Sequence, residues 1–261
     1  MQYLRSVLFN VLMYAWMPLV GLVYLPRMIL SPEGARRAMN LYASSTIRML
    51  GALTGLRAEI RGTPPRGGAL VAAKHHSFLD VLMLWVAAPR GFFIMKSILA
   101  YAPVLGQYAL RVGCIPVQRG KRAEAIKAML AEVRSGRRAD GQLLIYPQGT
   151  RVAPGATLPY KVGTFALYEQ LGQPCVPVAT NVGVFWPKRG LLRKPGLAVL
   201  EFLEPIPPGL DRATFMATLE RRIETASNAL MAEAGFPVAK LPQVQGDPVA
   251  AAAAEAAQAK T

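Results

Sequence analysis

Acidic residues are scarce in this 261-residue chain: fifteen Asp and Glu face thirty Lys and Arg, a formal net charge of +15 with a pI near 10.3. Such an excess attracts polyanions or an anionic membrane surface. Histidine and cysteine are scarcer still, with two residues each. Cys114 and Cys175 match neither a disulfide framework nor a zinc-ligand spacing, so both are expected as reduced core residues and no metal site is expected. No zinc-finger, basic-zipper or RNP-type motif is present, and a mean hydropathy of +0.27 is high for a soluble nucleic-acid binder. Basic and apolar at once, the chain points to lipid and away from nucleic acid. Apolar residues make up 52% of it, enough for a real core.

Between Arg5 and Arg27 the chain carries no charge, and the run Ser6–Pro26 is as long and apolar as a bilayer-spanning helix requires. It is too long for a signal-peptide core, and no A-x-A-like cleavage site follows. Pro18 and Gly21 fall in its second half, where a kink or turn would convert a spanning helix into a hairpin within one leaflet. Ala35–Leu56 interleaves Arg36, Arg37 and Arg48 with apolar residues, as an interfacial helix or an ordinary surface helix would. Residues 1–55 are therefore expected to form a membrane-anchoring helical segment.

From Leu56 onward short apolar runs alternate with helical patterns, the signature of an α/β domain over 56–236. Strands are expected at Arg57–Arg61, Ala69–Ala73, Gly91–Met95, Leu143–Tyr146, Cys175–Ala179 and Leu197–Phe202, and helices at Phe78–Ala87, Ile98–Val112, Ala123–Arg134, Thr164–Leu171 and Asp211–Ala234. Residues 237–261, rich in Ala, Pro and Gln, lack the bulky apolar residues a core needs and are expected to be disordered.

The run Ala69–Ala73 leads into Lys74-His75-His76-Ser77-Phe78-Leu79-Asp80, followed by apolar positions with helical spacing. Ser77 and Asp80 have capping-box spacing, which gives both an ordinary structural role. The same arrangement leaves His75 in non-helical backbone before the cap, where its ring can fold back to meet Asp80. With two histidines and four aspartates, chance supplies an H-x4-D at about 3%. His76 has no acid at that offset and is expected as a buried core histidine. Downstream lie three further blocks: Gly113-Cys114-Ile115-Pro116-Val117-Gln118-Arg119, then Tyr146-Pro147-Gln148-Gly149-Thr150-Arg151, then Val176-Pro177-Val178-Ala179. The second of these offers backbone N–H groups, a hydroxyl and a guanidinium, a chemistry suited to phosphate.

Together the four blocks, in this order, resemble the glycerolipid acyltransferase family, whose signatures are N-H-x4-D, G-x-I-P-V-x-R-like, F-P-E-G-T-R-like and V-P-V-like blocks. The resemblance implies a mixed sheet flanked by helices, preceded by membrane-associated helices. It implies transfer of a fatty acyl group from acyl-CoA or acyl carrier protein to a lysophospholipid hydroxyl, with lysophosphatidic acid the leading acceptor and phosphatidic acid the product of phospholipid synthesis. No cofactor beyond that co-substrate is implied. His75 is the implied base and Asp80 its orienting acid; Arg119, Gly149, Thr150 and Arg151 are the implied acceptor-phosphate site; Ser77, Gln148 and Lys161 are supporting residues. Two departures stand out: Lys74 occupies the frequent Asn position, and Gln148 replaces the usual Glu, so no carboxylate chemistry is available there. Ser77 has capping geometry and no separate base, which favours the His–Asp dyad over a serine hydrolase. The implied location is the inner membrane with the catalytic domain on the cytosolic side. Rival readings are another acceptor, such as glycerol 3-phosphate or a lyso-ornithine lipid, and a non-catalytic basic peripheral membrane protein.

Overall fold

The computed structural model describes residues 1–118, 127, 130, 131 and 140–244. Helices α1 (Gln2–Leu30) and α2 (Pro32–Thr54) form an antiparallel hairpin about Ser31. Extended backbone at Ser31 ends the first helix, while its Oγ accepts the Gly34 N–H at 3.1 Å and Pro32 takes the first position of the second, where no N–H is required. Helix α1 runs through Pro18 and Pro26 without a turn. Gly21 has another use: a Cβ there would lie 2.3 Å from a Val104 methyl, and its carbonyl accepts Tyr108 Oη–H at 2.6 Å. The glycine admits the close approach of a neighbouring helix and does not reverse the chain.

The α/β domain contains β1 (Leu56–Arg61), β2 (Ala69–Ala73), α3 (Leu79–Ala87), β3 (Gly91–Lys96), α4 (Leu105–Arg111), β4 (Ile115–Val117), β5 (Gln142–Ile145), α5 (Gly163–Leu171), β6 (Cys175–Thr180), β7 (Gly196–Phe202) and α6 (Arg212–Glu233). The strands form one sheet in the order β1-β7-β6-β2-β5-β3-β4, parallel throughout except between β6 and β7. This is the mixed, helix-flanked sheet expected. Period-2 alternation assigns its two faces. Val71, Ala73, Leu144 and Val178 pack under α1–α4, whereas Leu70, Ala72, Leu143 and Cys175 pack against α5 and α6. Cys114 and Cys175 are both buried free thiols. Pro177 sits in the interior strand β6, and not at a sheet edge. Its missing N–H falls on the β7 side, where the regular ladder ends at Phe202 and the chain leaves through Pro205.

The region expected as one helix over Ile98–Val112 is instead a 3-10 turn, Ser97–Tyr101, followed by α4 after Ala102-Pro103, where proline disfavours continuation. β4 is a three-residue strand within a block whose Pro116 hid it. The helix expected at Ala123–Arg134 lies almost wholly outside the described residues. The tail expected to be disordered from 237 begins in order: Val238–Lys240 makes a 3-10 turn and Asn228 Nδ2 donates to Pro242 O at 2.9 Å, an anchorage that composition does not reveal. Residues 245–261 lie outside the described residues.

Candidate active site

The carboxyl ends of the adjacent parallel strands β6, β2 and β5 bring three segments side by side: Asn181–Gly183, His75–Asp80 and Tyr146–Arg151. In open α/β sheets this is where ligands bind. His75 Nδ1 lies 2.7 Å from Asp80 Oδ1, so the ring folds back over the helix start. Asp80, fully buried, uses its other oxygen to accept the backbone N–H groups of His76 at 2.8 Å and Ser77 at 2.7 Å. Ser77 Oγ accepts the Leu79 N–H at 3.1 Å, so Ser77 serves the turn. The capping role and the dyad role of Asp80 are therefore not alternatives: one oxygen does each.

The His75 ring, 13% exposed, stacks on Tyr146 with centroids 3.9 Å apart and planes 15° apart. Burial, reinforced by the charge of Asp80, pushes the Tyr146 phenol well above its ordinary range and keeps it neutral. His75 Nε2 makes no hydrogen bond to the described residues. Val152 N–H donates to the His75 carbonyl at 2.8 Å, tying the third block to the first. Gly149 adopts φ 69°, and a Cβ there would lie 2.4 Å from Lys161 Nζ; the lysine lies across the turn because the residue is glycine. Arg151 and Lys188 hold each other's backbone carbonyls, at 3.3 and 3.0 Å. Gln148 is buried and its Nε2 donates to Leu158 O at 3.1 Å, tying the turn to the following loop. Gly149, Thr150, Arg151 and Lys161 are thus gathered beside the dyad, whereas Arg119 lies outside the described residues.

His76 is buried, accepts the Gly183 N–H at 3.2 Å through Nδ1, and is lowered to about 3 by burial with the Lys74 charge adding. It is a neutral core histidine. Lys74 is the residue whose partner sequence reasoning missed. Its Nζ lies 2.6 Å from both carboxylate oxygens of Glu224 on α6, 150 residues away, with Tyr160 Oη–H donating to the same carboxylate at 2.9 Å. An apolar cleft beside the helix start is lined by Met17, Val20, Phe78, Val81, Val104 and Tyr108. A second cleft, about 670 Å³, lies between the Gln148–Leu158 segment and α6, and none of His75, Asp80, Arg151 or Lys161 lines it.

The family model described as Acyltransferase matches residues 57–181. The 1-acyl-sn-glycerol-3-phosphate acyltransferase of Pseudomonas aeruginosa is 27% identical over 188 residues, 69% of this chain and 71% of that protein. The human 1-acyl-sn-glycerol-3-phosphate acyltransferase alpha is 31% identical over 160 residues, 59% of this chain. The chain spans 56% of that relative's length, less than two thirds. The crystal structure of the 1-acyl-sn-glycerophosphate acyltransferase from Thermotoga maritima has a TM-score of 0.74 at 19% identity, covering 88% of this chain and 96% of that one, a likeness of fold.

Proposed function

We propose that this chain, whose residues 57–181 match the Acyltransferase family model, is an acyltransferase that moves a fatty acyl group from a thioester donor, acyl-CoA or acyl carrier protein, to the free hydroxyl of lysophosphatidic acid. The observation that carries this reading is the 2.7 Å contact between His75 Nδ1 and Asp80 Oδ1 beside the Gly149–Arg151 turn. With Nδ1–H donated to the carboxylate, the Nε2 lone pair is free to take a proton. As the acceptor oxygen attacks the thioester carbonyl, its proton passes to Nε2; the carbon–sulfur bond breaks, an ester forms, and the imidazolium returns the proton to the departing thiolate. Asp80 stabilises the transient cation and Tyr146 fixes the ring plane. General-base catalysis of this kind supplies ~10²–10⁴-fold.

Arg151, the backbone of Gly149 and Thr150, and Lys161 form the acceptor-phosphate site, with Arg119 a further candidate from the second block. The apolar cleft at Phe78 takes hydrocarbon. The outward face of α1 exposes Leu4, Leu8, Val11, Leu19, Leu22 and Val23, and contacts the membrane from which the lysophosphatidic acid comes. The test is thiol release from acyl-CoA with individual lyso-lipids, with His75→Ala as control. Release with lysophosphatidic acid that His75→Ala abolishes is expected. Release only with a phosphate-free lyso-lipid would overturn the acceptor assignment.

A further inference from the structure

The first three turns of α1 carry a polar stripe of Gln2, Ser6 and Asn10, and all three residues reach one loop. Gln2 Nε2 donates to Arg193 O at 2.8 Å, Ser6 Oγ accepts the Arg193 N–H at 2.9 Å, and Asn10 Nδ2 donates to Leu191 O at 3.1 Å. Arg193, 4% exposed, returns Nη2 to Asn10 Oδ1 at 2.7 Å and lies 4.1 Å over the Trp186 ring. The loop is therefore fixed against the amino-terminal end of α1. What it turns outward is the reverse of a solvated loop: Leu191 is 46% and Leu192 37% exposed, flanked by exposed Lys188, Arg189 and Lys194. Among the described residues neither Arg189 nor Lys194 forms an ion pair.

We propose that the Lys188–Lys194 loop is a second lipid-contact element, seating Leu191 and Leu192 at the interface and Arg189 and Lys194 on anionic headgroups of the leaflet that α1 enters. The inference rests on the membrane reading of α1 and extends it to a loop 181 to 191 residues further along the chain. Continuity argues for this occupant, because the loop is pinned directly to the helix with the exposed apolar face. Charge complementarity argues for anionic lipid, because two unpaired cations bracket the two leucines. The loop also holds the Arg151 turn through Lys188, so seating it on headgroups sets the candidate phosphate site at the level where the acceptor's phosphate lies.

The test uses the full chain and three preparations: the parent, Arg189→Gln with Lys194→Gln, and Leu191→Ser with Leu192→Ser. Each is diluted from detergent into extruded vesicles of phosphatidylcholine alone or with phosphatidylglycerol, and co-sedimentation is measured against salt. The charge variant is expected to lose roughly thirty-fold of the binding that phosphatidylglycerol adds, since each surface cation contributes about 1 kcal/mol, and to bind phosphatidylcholine like the parent. The leucine variant is expected to bind both vesicles more weakly. Both variants should keep the parent's melting temperature and its turnover of a water-soluble short-chain lysophosphatidate, which separates lipid contact from damage to the fold. If the parent binds and both variants match it on both vesicles, the loop is not a lipid contact and α1 acts alone. If the parent binds neither vesicle, the membrane reading of α1 falls, and the proposal with it.

Discussion

The pair Lys74–Glu224 offers a test of how the catalytic loop is held. Lys74 and Glu224 side chains are 2% and 8% exposed, and Nζ lies 2.6 Å from each carboxylate oxygen. Removing one partner strands a charge in the interior, which costs about 3–5 kcal/mol. For a domain of this size 1 kcal/mol moves the melting temperature by about 2–4 °C, so Lys74→Met or Glu224→Gln should lower it by roughly 6–20 °C. Replacing both by Met removes the desolvated charges together, but orphans Tyr160 Oη–H, a loss of about 1–3 kcal/mol. Adding Tyr160→Phe should bring the triple variant back to within about 2 kcal/mol of the parent. The internal control is Arg61–Glu233, equally bidentate at 2.8 Å but 30% and 53% exposed, where Glu233→Gln should cost at most about 1 kcal/mol. Thermal unfolding followed by circular dichroism in one detergent reads the parent and its five variants. If Lys74→Met melts no lower than Glu233→Gln, the argument from burial is wrong.

His75→Ala should lower turnover per folded molecule by at least ~10²-fold, measured by thiol release, in a protein that still folds but melts lower because the buried Asp80 loses a partner. Asp80→Asn keeps an oxygen for the His76 and Ser77 N–H groups but offers His75 an amide, which places the imidazole proton on Nε2; kcat should collapse while stability falls little, whereas Asp80→Ala should lose both. Arg151→Lys keeps the charge but loses the fork, so the KM for lysophosphatidic acid should rise about ten- to a hundred-fold with the KM for acyl-CoA little changed; equal change in both would mean that Arg151 only buttresses the turn. His76 is neutral when folded, with a pKa near 3, and titrates near 6.5 when unfolded. Protonation therefore favours the unfolded chain as pH falls below 6.5, and the loss is complete by about pH 3. The melting temperature should drop between pH 6.5 and 5, with His76→Gln flattening that slope; a slope the variant leaves intact would refute it.

What could be read from the chain alone was whatever is local. Ala69–Ala73 and Cys175–Thr180 are apolar runs whose alternate residues face opposite helical layers, and the H-x4-D spacing at a helix start encloses its own contact. What was hidden is long-range or subtle in backbone. Lys74 read as a changed flanking residue because Glu224 is 150 positions away, and no periodicity links them. The Val152 hydrogen bond to His75 and the Tyr146 stacking depend on β5 lying beside β2, a neighbour relation that the order of strands along the chain does not announce. Pro18 and Gly21 left a continuous helix and a turn both open, and the structure has the continuous helix, with Gly21 packed against Val104 and Tyr108.

Helix α1 is fastened near both of its ends. Gln2, Ser6 and Asn10 hold the loop at one end, while at the other Arg111 donates to the carbonyls of Met28 and Ile29 at 3.0 and 2.8 Å. Phe9 and Met13 are sunk in the core between. A helix of 29 residues is about 43 Å long, and one strapped lengthwise to a catalytic domain cannot cross a bilayer without taking the domain along. With the membrane contact proposed above, such a helix lies along one leaflet. An enzyme so placed draws its substrate from, and returns its product to, a single side of the membrane, and the opposite leaflet must receive that lipid by a separate act of translocation.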